Sequence, residues 1–231
     1  MKLFHFIPSG KVHPDSSKPT KIKALLPDWY KNAEKYFLVN TDSVNFEQAG
    51  LRSCLPFLDA MTSGFTLVSP CDIEFKKDEE GKLNLYWDSK LEAQPVSIRD
   101  YASGKTIPRP LGYSDVHYTW NNQWGWEVPR GYSVLVTHPC NRFELPFLTM
   151  SAVVDSDKFT SNGNIPFFLQ KDFTGIIPAG TPIAQLIPIK RESWVHVHNK
   201  QRVKAAHILG SVTQIIPQYY AKHLRQKKEY K

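Results

Sequence analysis

"SAVVDSDKFTSNGNIPFFLQKDFTGIIPAGTPIAQLIPIKR", residues 151–191, reads as two apolar strands, each meeting a polar turn, with a pair of aspartates between them. Pro178-Ala179-Gly180 supplies a fixed φ followed by a permissive glycine, which is the chemistry of a sharp reversal. After it, "TPIAQLIPI" sets Ile183, Gln185, Ile187 and Ile189 on one side and Ala184 and Leu186 on the other, so a strand buried largely on both faces is expected. Asp155-Ser156-Asp157 leaves two readings open. Aspartates favour turns through Asx-type backbone hydrogen bonds, and paired carboxylates can also activate water.

Working outward, proline and turn residues recur throughout. Seventeen prolines and 13% aromatic residues interrupt any long helical pattern and favour many short strands. A Ser63-Gly64 turn precedes a strand at Phe65–Val68, and "EEGKLNLYWD" alternates after a glycine turn, as a hairpin arm does. Residues 88–115 are polar and proline-rich and read as a long surface connection. Between 117 and 139, Trp120, Trp124 and Trp126 read either as rings covering the core or as a stacking platform for a base or sugar. Pro27-Asp28 opens a short helix in which Trp29, Tyr30, Ala33, Tyr36 and Phe37 recur at helical spacing, and a basic helix is expected after Pro217.

A chain of 231 residues can bury a core without covalent staples. Cys54, Cys71 and Cys140 are odd in number and form no CxxC pair, so they read as buried thiols of a reducing compartment. No apolar run approaches the roughly 20 residues of a bilayer span, and the first residues are too weakly apolar for a signal peptide, so neither membrane insertion nor secretion is expected. Charge is unevenly placed. Residues 190–231 hold ten Lys or Arg against two Glu, an excess of eight, so of the net +7 the first 189 residues contribute minus one. Lys222, Arg225, Lys227 and Lys228 are therefore candidates for contact with an acidic partner or nucleic acid, beside the plainer reading of solvated surface. His196 and His198 would point the same way from a strand, but no third metal ligand is assignable.

Taken together, "EVPRGYSVLVTHP", "AVVDSD" and "GNIPFFLQKDFTGIIPAGTPIAQLIPIKR", spanning 127–191, resemble the core of trimeric dUTP pyrophosphatases and the related dCTP deaminases in order and spacing. The resemblance implies a mainly β chain: a compact, β-clip or jelly-roll-like domain over 51–191, a strand-and-helix extension over 1–50 and a basic helical extension over 192–231. It also implies a homotrimer. In the family the third-motif carboxylate deprotonates the attacking water while magnesium draws charge from the triphosphate. That role would fall on Asp155, with Asp157 beside it, and Arg142, Phe159 and Gln185 would contact nucleotide and phosphate.

The chain departs from the family pattern at several positions. Lys158 stands where the sugar-packing tyrosine is expected, Thr66 replaces the first-motif aspartate, Arg142 lacks its following serine, and no glycine-rich C-terminal arm follows Leu186. The fuller pattern, including "CLPFLDAMTSGFTLVSPCDIEF", resembles uncharacterised phage and bacterial proteins, which implies the host-cell cytoplasm or a virion and other virion subunits as partners. Two functions follow. The favoured one is a non-catalytic viral structural or assembly protein with no cofactor. The alternative is a magnesium-dependent deoxynucleoside triphosphate pyrophosphatase or a nucleotide-binding regulator.

Overall fold

Pro182–Lys190 is the middle of a five-stranded antiparallel sheet, in the order Ala152–Val154, Tyr132–Thr137, Pro182–Lys190, Phe65–Val68, Thr20–Lys21. This is a computed structural model describing residues 2–9, 16–41, 44–88, 91, 93–99, 107–160, 162–216 and 218–231. Residues 182–186 are all buried, as the two-sided apolar pattern requires, and exposure rises only toward Lys190. Gly64, with φ +79°, makes the turn into Phe65; a Cβ there would lie 2.1 Å from the Leu186 carbonyl oxygen, so only glycine fits.

A second, four-stranded sheet runs Phe147–Thr149, Ile165–Gln170, Tyr113–Trp120, Val96–Ile98. A third joins Gly175–Ile177, Ile73–Lys77 and Leu83–Trp87, the last two forming the hairpin that turns at Gly81. The three sheets contribute to one core, through Val134 and Leu186, Trp120 and Phe167, and Ile73 and Phe75 respectively. The chain is therefore mainly β and antiparallel, and among the described residues no sheet closes into a barrel.

The tryptophans divide by depth. Trp120 is 1% exposed, stacks on Phe167 at 4.0 Å between centroids and meets Phe147 edge-on, so its face is occupied by the core. Trp126 is also buried, and Trp124 packs at the core's edge. Part of the expected 88–115 connection is the edge strand Val96–Ile98, while residues 100–106 lie outside the described set.

The helices differ from the spacing-based expectation. The first covers only Asp28–Asn32, because Ala33 turns extended and Tyr36–Asn40 pairs with Asn45–Ala49 as a two-stranded ribbon. Aromatic and β-branched side chains suit that pleated pairing. At the other end, the long helix is Val203–Ile215, and only a π-helical turn, Tyr220–Leu224, lies beyond residue 217. Ile216 is extended, the conformation favoured before proline. No helix among the described residues is long and apolar enough to cross a membrane. Cys54 is exposed rather than buried, Cys71 and Cys140 are half-buried, and all three are free thiols.

Candidate functional site

The aspartate corner is the turn that follows Ala152–Val154. Its backbone closes locally, with Lys158 N–H and Phe159 N–H both donating to the Asp155 carbonyl at 3.0 Å. Ser156 is fully buried and accepts a 2.8 Å bond from Trp126 Nε1, which fastens the turn to the Trp124–Glu127 strand. With the middle residue held inward, the two carboxylates flank it.

Arg191, at the end of the central strand, then closes over both. Its Nη1 lies 2.8 Å from Asp157 Oδ1 and 3.1 Å from Asp155 Oδ1, and its Nη2 bonds Asp157 Oδ2. Nη1 also donates to the Tyr132 carbonyl at 3.0 Å. Asp157 Oδ2 takes a further 2.9 Å bond from Gly131 N–H, which the Pro129-Arg130-Gly131 turn presents because Gly131 adopts φ +86°. The Asp157 side chain is 1% exposed. Asp155 accepts a 2.6 Å bond from Ser133 Oγ and remains 60% exposed at its side chain.

These contacts set the charge state. The Arg191 bond, with Gly131 N–H, holds the Asp157 carboxyl far below the usual carboxylate range. Ser133, with Arg191, holds Asp155 lower than usual as well. A general base works best with a pKa near the operating pH, so both shifts make these carboxylates poorer proton acceptors. The corner acts as a tie between the end of one strand, the start of another and the end of a third.

Arg142 is elsewhere. Its Nη1 donates to the Leu25 carbonyl at 2.9 Å and its Nε bonds Glu144 Oε1, while Glu144 Oε2 accepts from Trp29 Nε1 at 2.9 Å. It lines an open cavity of about 860 Å³ together with Gln170, Phe173 and the Pro178–Thr181 turn, and neither Asp155 nor Asp157 lines that cavity. The turn's amides are engaged by the fold: Ala179 N–H bonds Asp72 Oδ1 at 2.7 Å and Gly180 N–H bonds the Ser69 carbonyl at 2.9 Å.

Gln185 is fully buried, and its amide spans three elements. Nε2 donates to the carbonyls of Ala60 and Ser63 at 2.8 and 2.7 Å, and Oε1 accepts from Cys140 N–H at 2.8 Å. Those carbonyls end the Leu55–Thr62 helix, so Gln185 caps it from the sheet. Phe159 is exposed, on the same turn as Asp155. The chain therefore brings Asp155 and Asp157 together and leaves Arg142 and Gln185 in other surroundings.

The basic tail returns to the body. Arg225 and Lys228 both reach Asp59, whose side chain is only 10% exposed. Lys227 pairs with Glu229 at 3.3 Å, and Lys222 is exposed. His196 and His198 sit in an exposed stretch without strand structure, and no three His, Cys, Asp or Glu side chains among the described residues are grouped to hold a metal ion. Sequence reasoning missed Arg191 and Asp59. Asp59 carried a signal, an acid inside the apolar run "LPFLDAM" of a short helix, where burial demands a cation.

No protein-family model matches the chain, and a search of curated proteins finds no significant match.

Proposed function

We propose that this protein is a non-catalytic structural or assembly protein built on a dUTP pyrophosphatase-like β-fold. The observation that carries the reading is the Arg191 clamp. The two carboxylates that would activate water both bond one guanidinium, and that guanidinium is also bonded to the backbone of the neighbouring strand. An arginine with that many fixed partners holds a fold together and lowers the proton affinity that a general base needs.

Support for an assembly role comes from the surface. Among the described residues, large apolar side chains are exposed at many positions, with two local concentrations, Tyr36, Phe37, Leu38, Val44 and Phe46 in one and Trp194, Val195 and Val197 in the other, and extended apolar exposure marks interaction surfaces. A homo-oligomer is the form in which we expect the protein to work.

Hydrolysis of a panel of deoxynucleoside triphosphates with magnesium tests the reading, with the wild-type chain beside Asp155→Asn. We expect no turnover from either protein. Turnover by the wild type that Asp155→Asn abolishes would overturn the proposal and make the corner a catalytic base.

A further inference from the structure

One reach of the chain is cationic without compensation. Between Glu192 and Glu229 the sequence holds seven Lys or Arg and neither Asp nor Glu. The fold accounts for some of them: Arg225 and Lys228 meet Asp59, and Lys227 meets Glu229. Lys200, Arg202 and Lys204 make neither an ion pair nor a side-chain hydrogen bond among the described residues. They stand on an arm, residues 192–210, that is exposed at every position.

Solvation alone does not explain where these three cations are. A solvated helix face ordinarily mixes signs, so that Glu and Lys support one another a turn apart. The Val203–Ile215 helix has no acidic residue, and the turn Lys200–Arg202 leads directly into its N-terminal end. The helix dipole is positive at that end, so each cation opposes the helix it adjoins. Unpaired cations along an exposed segment match the regular negative charge of a phosphodiester chain.

Ahead of the cations lie uncovered rings. Trp194 is 85% exposed, and the His196 and His198 rings meet edge-on at 5.9 Å. Ring faces combined with a cationic track hold unpaired bases and their phosphates. In a duplex the bases already stack on one another and offer Trp194 no face, so a single strand is the better match. The arm is also fastened to the body, at its start by the Arg191 clamp and beyond its end by the Arg225–Asp59 pair, which lowers the ordering cost of binding.

We propose that residues 194–204 bind single-stranded nucleic acid, with Lys200, Arg202 and Lys204 on phosphates and Trp194 stacked on a base. Such binding needs no second copy of the chain, so it goes beyond the assembly role and does not depend on it.

Fluorescence anisotropy of labelled oligo-dT, titrated with the full chain freed of bound nucleic acid, tests it. Three phosphate contacts to a single strand give a slope of about −2 for log affinity against log salt. Lys200→Gln/Arg202→Gln/Lys204→Gln is expected to weaken binding at low salt by about tenfold or more and to flatten that slope. This variant should melt no lower than the wild type, because the charges it removes oppose the helix dipole. Trp194→Ala should weaken binding about tenfold and leave the slope unchanged, as loss of a stacked base does. Lys222→Gln/Lys227→Gln takes two exposed cations from the tail and should change neither quantity. Equal losses from the arm and tail variants would reduce the attraction to net charge and overturn the site, as would a wild type that does not bind oligo-dT. Tighter binding of duplex DNA, or a Trp194→Ala variant that binds as well as the wild type, overturns the single-strand assignment. Equal binding of polyglutamate overturns nucleic acid as the ligand and assigns the arm to an acidic protein. Sedimentation of the same wild type without nucleic acid reads self-association, so failure of this binding and failure of the assembly role are separate results.

Discussion

Arg225 and Asp59, 166 positions apart in the chain, form a two-point ion pair, with Nη2 2.5 Å from Oδ1 and Nε 3.3 Å from Oδ2. Lys228 Nζ adds a third contact at 3.0 Å to Oδ2. The Arg225 bond, helped by Lys228, holds the Asp59 carboxyl below its ordinary range against the opposing effect of burial. The tail is thereby anchored to the Leu55–Thr62 helix, and Tyr230 follows it to pack edge-on against Phe65 at 5.9 Å.

Asp59→Asn should release that tail. Trypsin cleavage at Arg225, Lys227 and Lys228 is expected to accelerate at neutral pH, with a loss of about 2 kcal/mol in unfolding free energy. Because the folded carboxyl titrates lower than the unfolded one, the anchor is fully present above the ordinary aspartate range and is lost as pH falls through the folded value. Wild-type cleavage measured by mass spectrometry at neutral and acid pH, with an acid-active protease for the latter, checks the sign.

Arg191→Ala leaves the Asp157 carboxylate without its guanidinium partner, held by backbone N–H groups such as that of Gly131. The thermal midpoint at neutral pH should fall by several degrees. Both corner carboxyls titrate low in the folded protein, so their contribution is present above the unfolded pKa and disappears in acid. The gap between wild type and variant should therefore narrow as pH falls, which scanning calorimetry across a pH series reads directly.

Gln185→Leu preserves approximate volume while leaving two helix-end carbonyls and the Cys140 N–H without their partner. Buried polar groups left unsatisfied cost about 1–3 kcal/mol each, so a total loss of about 3 kcal/mol or more is expected in urea denaturation. Gln185→Glu should be worse, since a carboxylate would face the same two carbonyls.

Gly64→Ala combines a left-handed backbone with a Cβ set against the Leu186 carbonyl. Neither contact is with a flexible side-chain end, so the strand pair must shift. The variant is expected to lose at least about 2 kcal/mol by chemical denaturation, whereas Gly81→Ala, which has the same sign of φ but open space, should lose about 1 kcal/mol.

Some of the architecture was legible locally. The Gly64 turn, the Phe65–Val68 strand and the doubly apolar Pro182–Lys190 strand follow from turn chemistry and period-two patterning, because those signals lie within a few residues of one another. The ribbon at Tyr36 was not legible. Tyr36 and Phe37 fit a helical spacing with Trp29 and Tyr30, and pairing with Asn45–Ala49 overrode it.

The sequence by itself determined a mainly β chain, the positions of its sharp turns, and the concentration of positive charge beyond residue 190. Tertiary structure decided what the charged and polar residues do. Asp155 meets Arg191 across 36 positions and Gln185 meets Ala60 across 125, separations at which spacing carries no information. Burial also changes what a carboxylate is for: in water Asp157 would be an ordinary ionised turn residue, but enclosed with a guanidinium and a backbone N–H it becomes a fixed joint between strands.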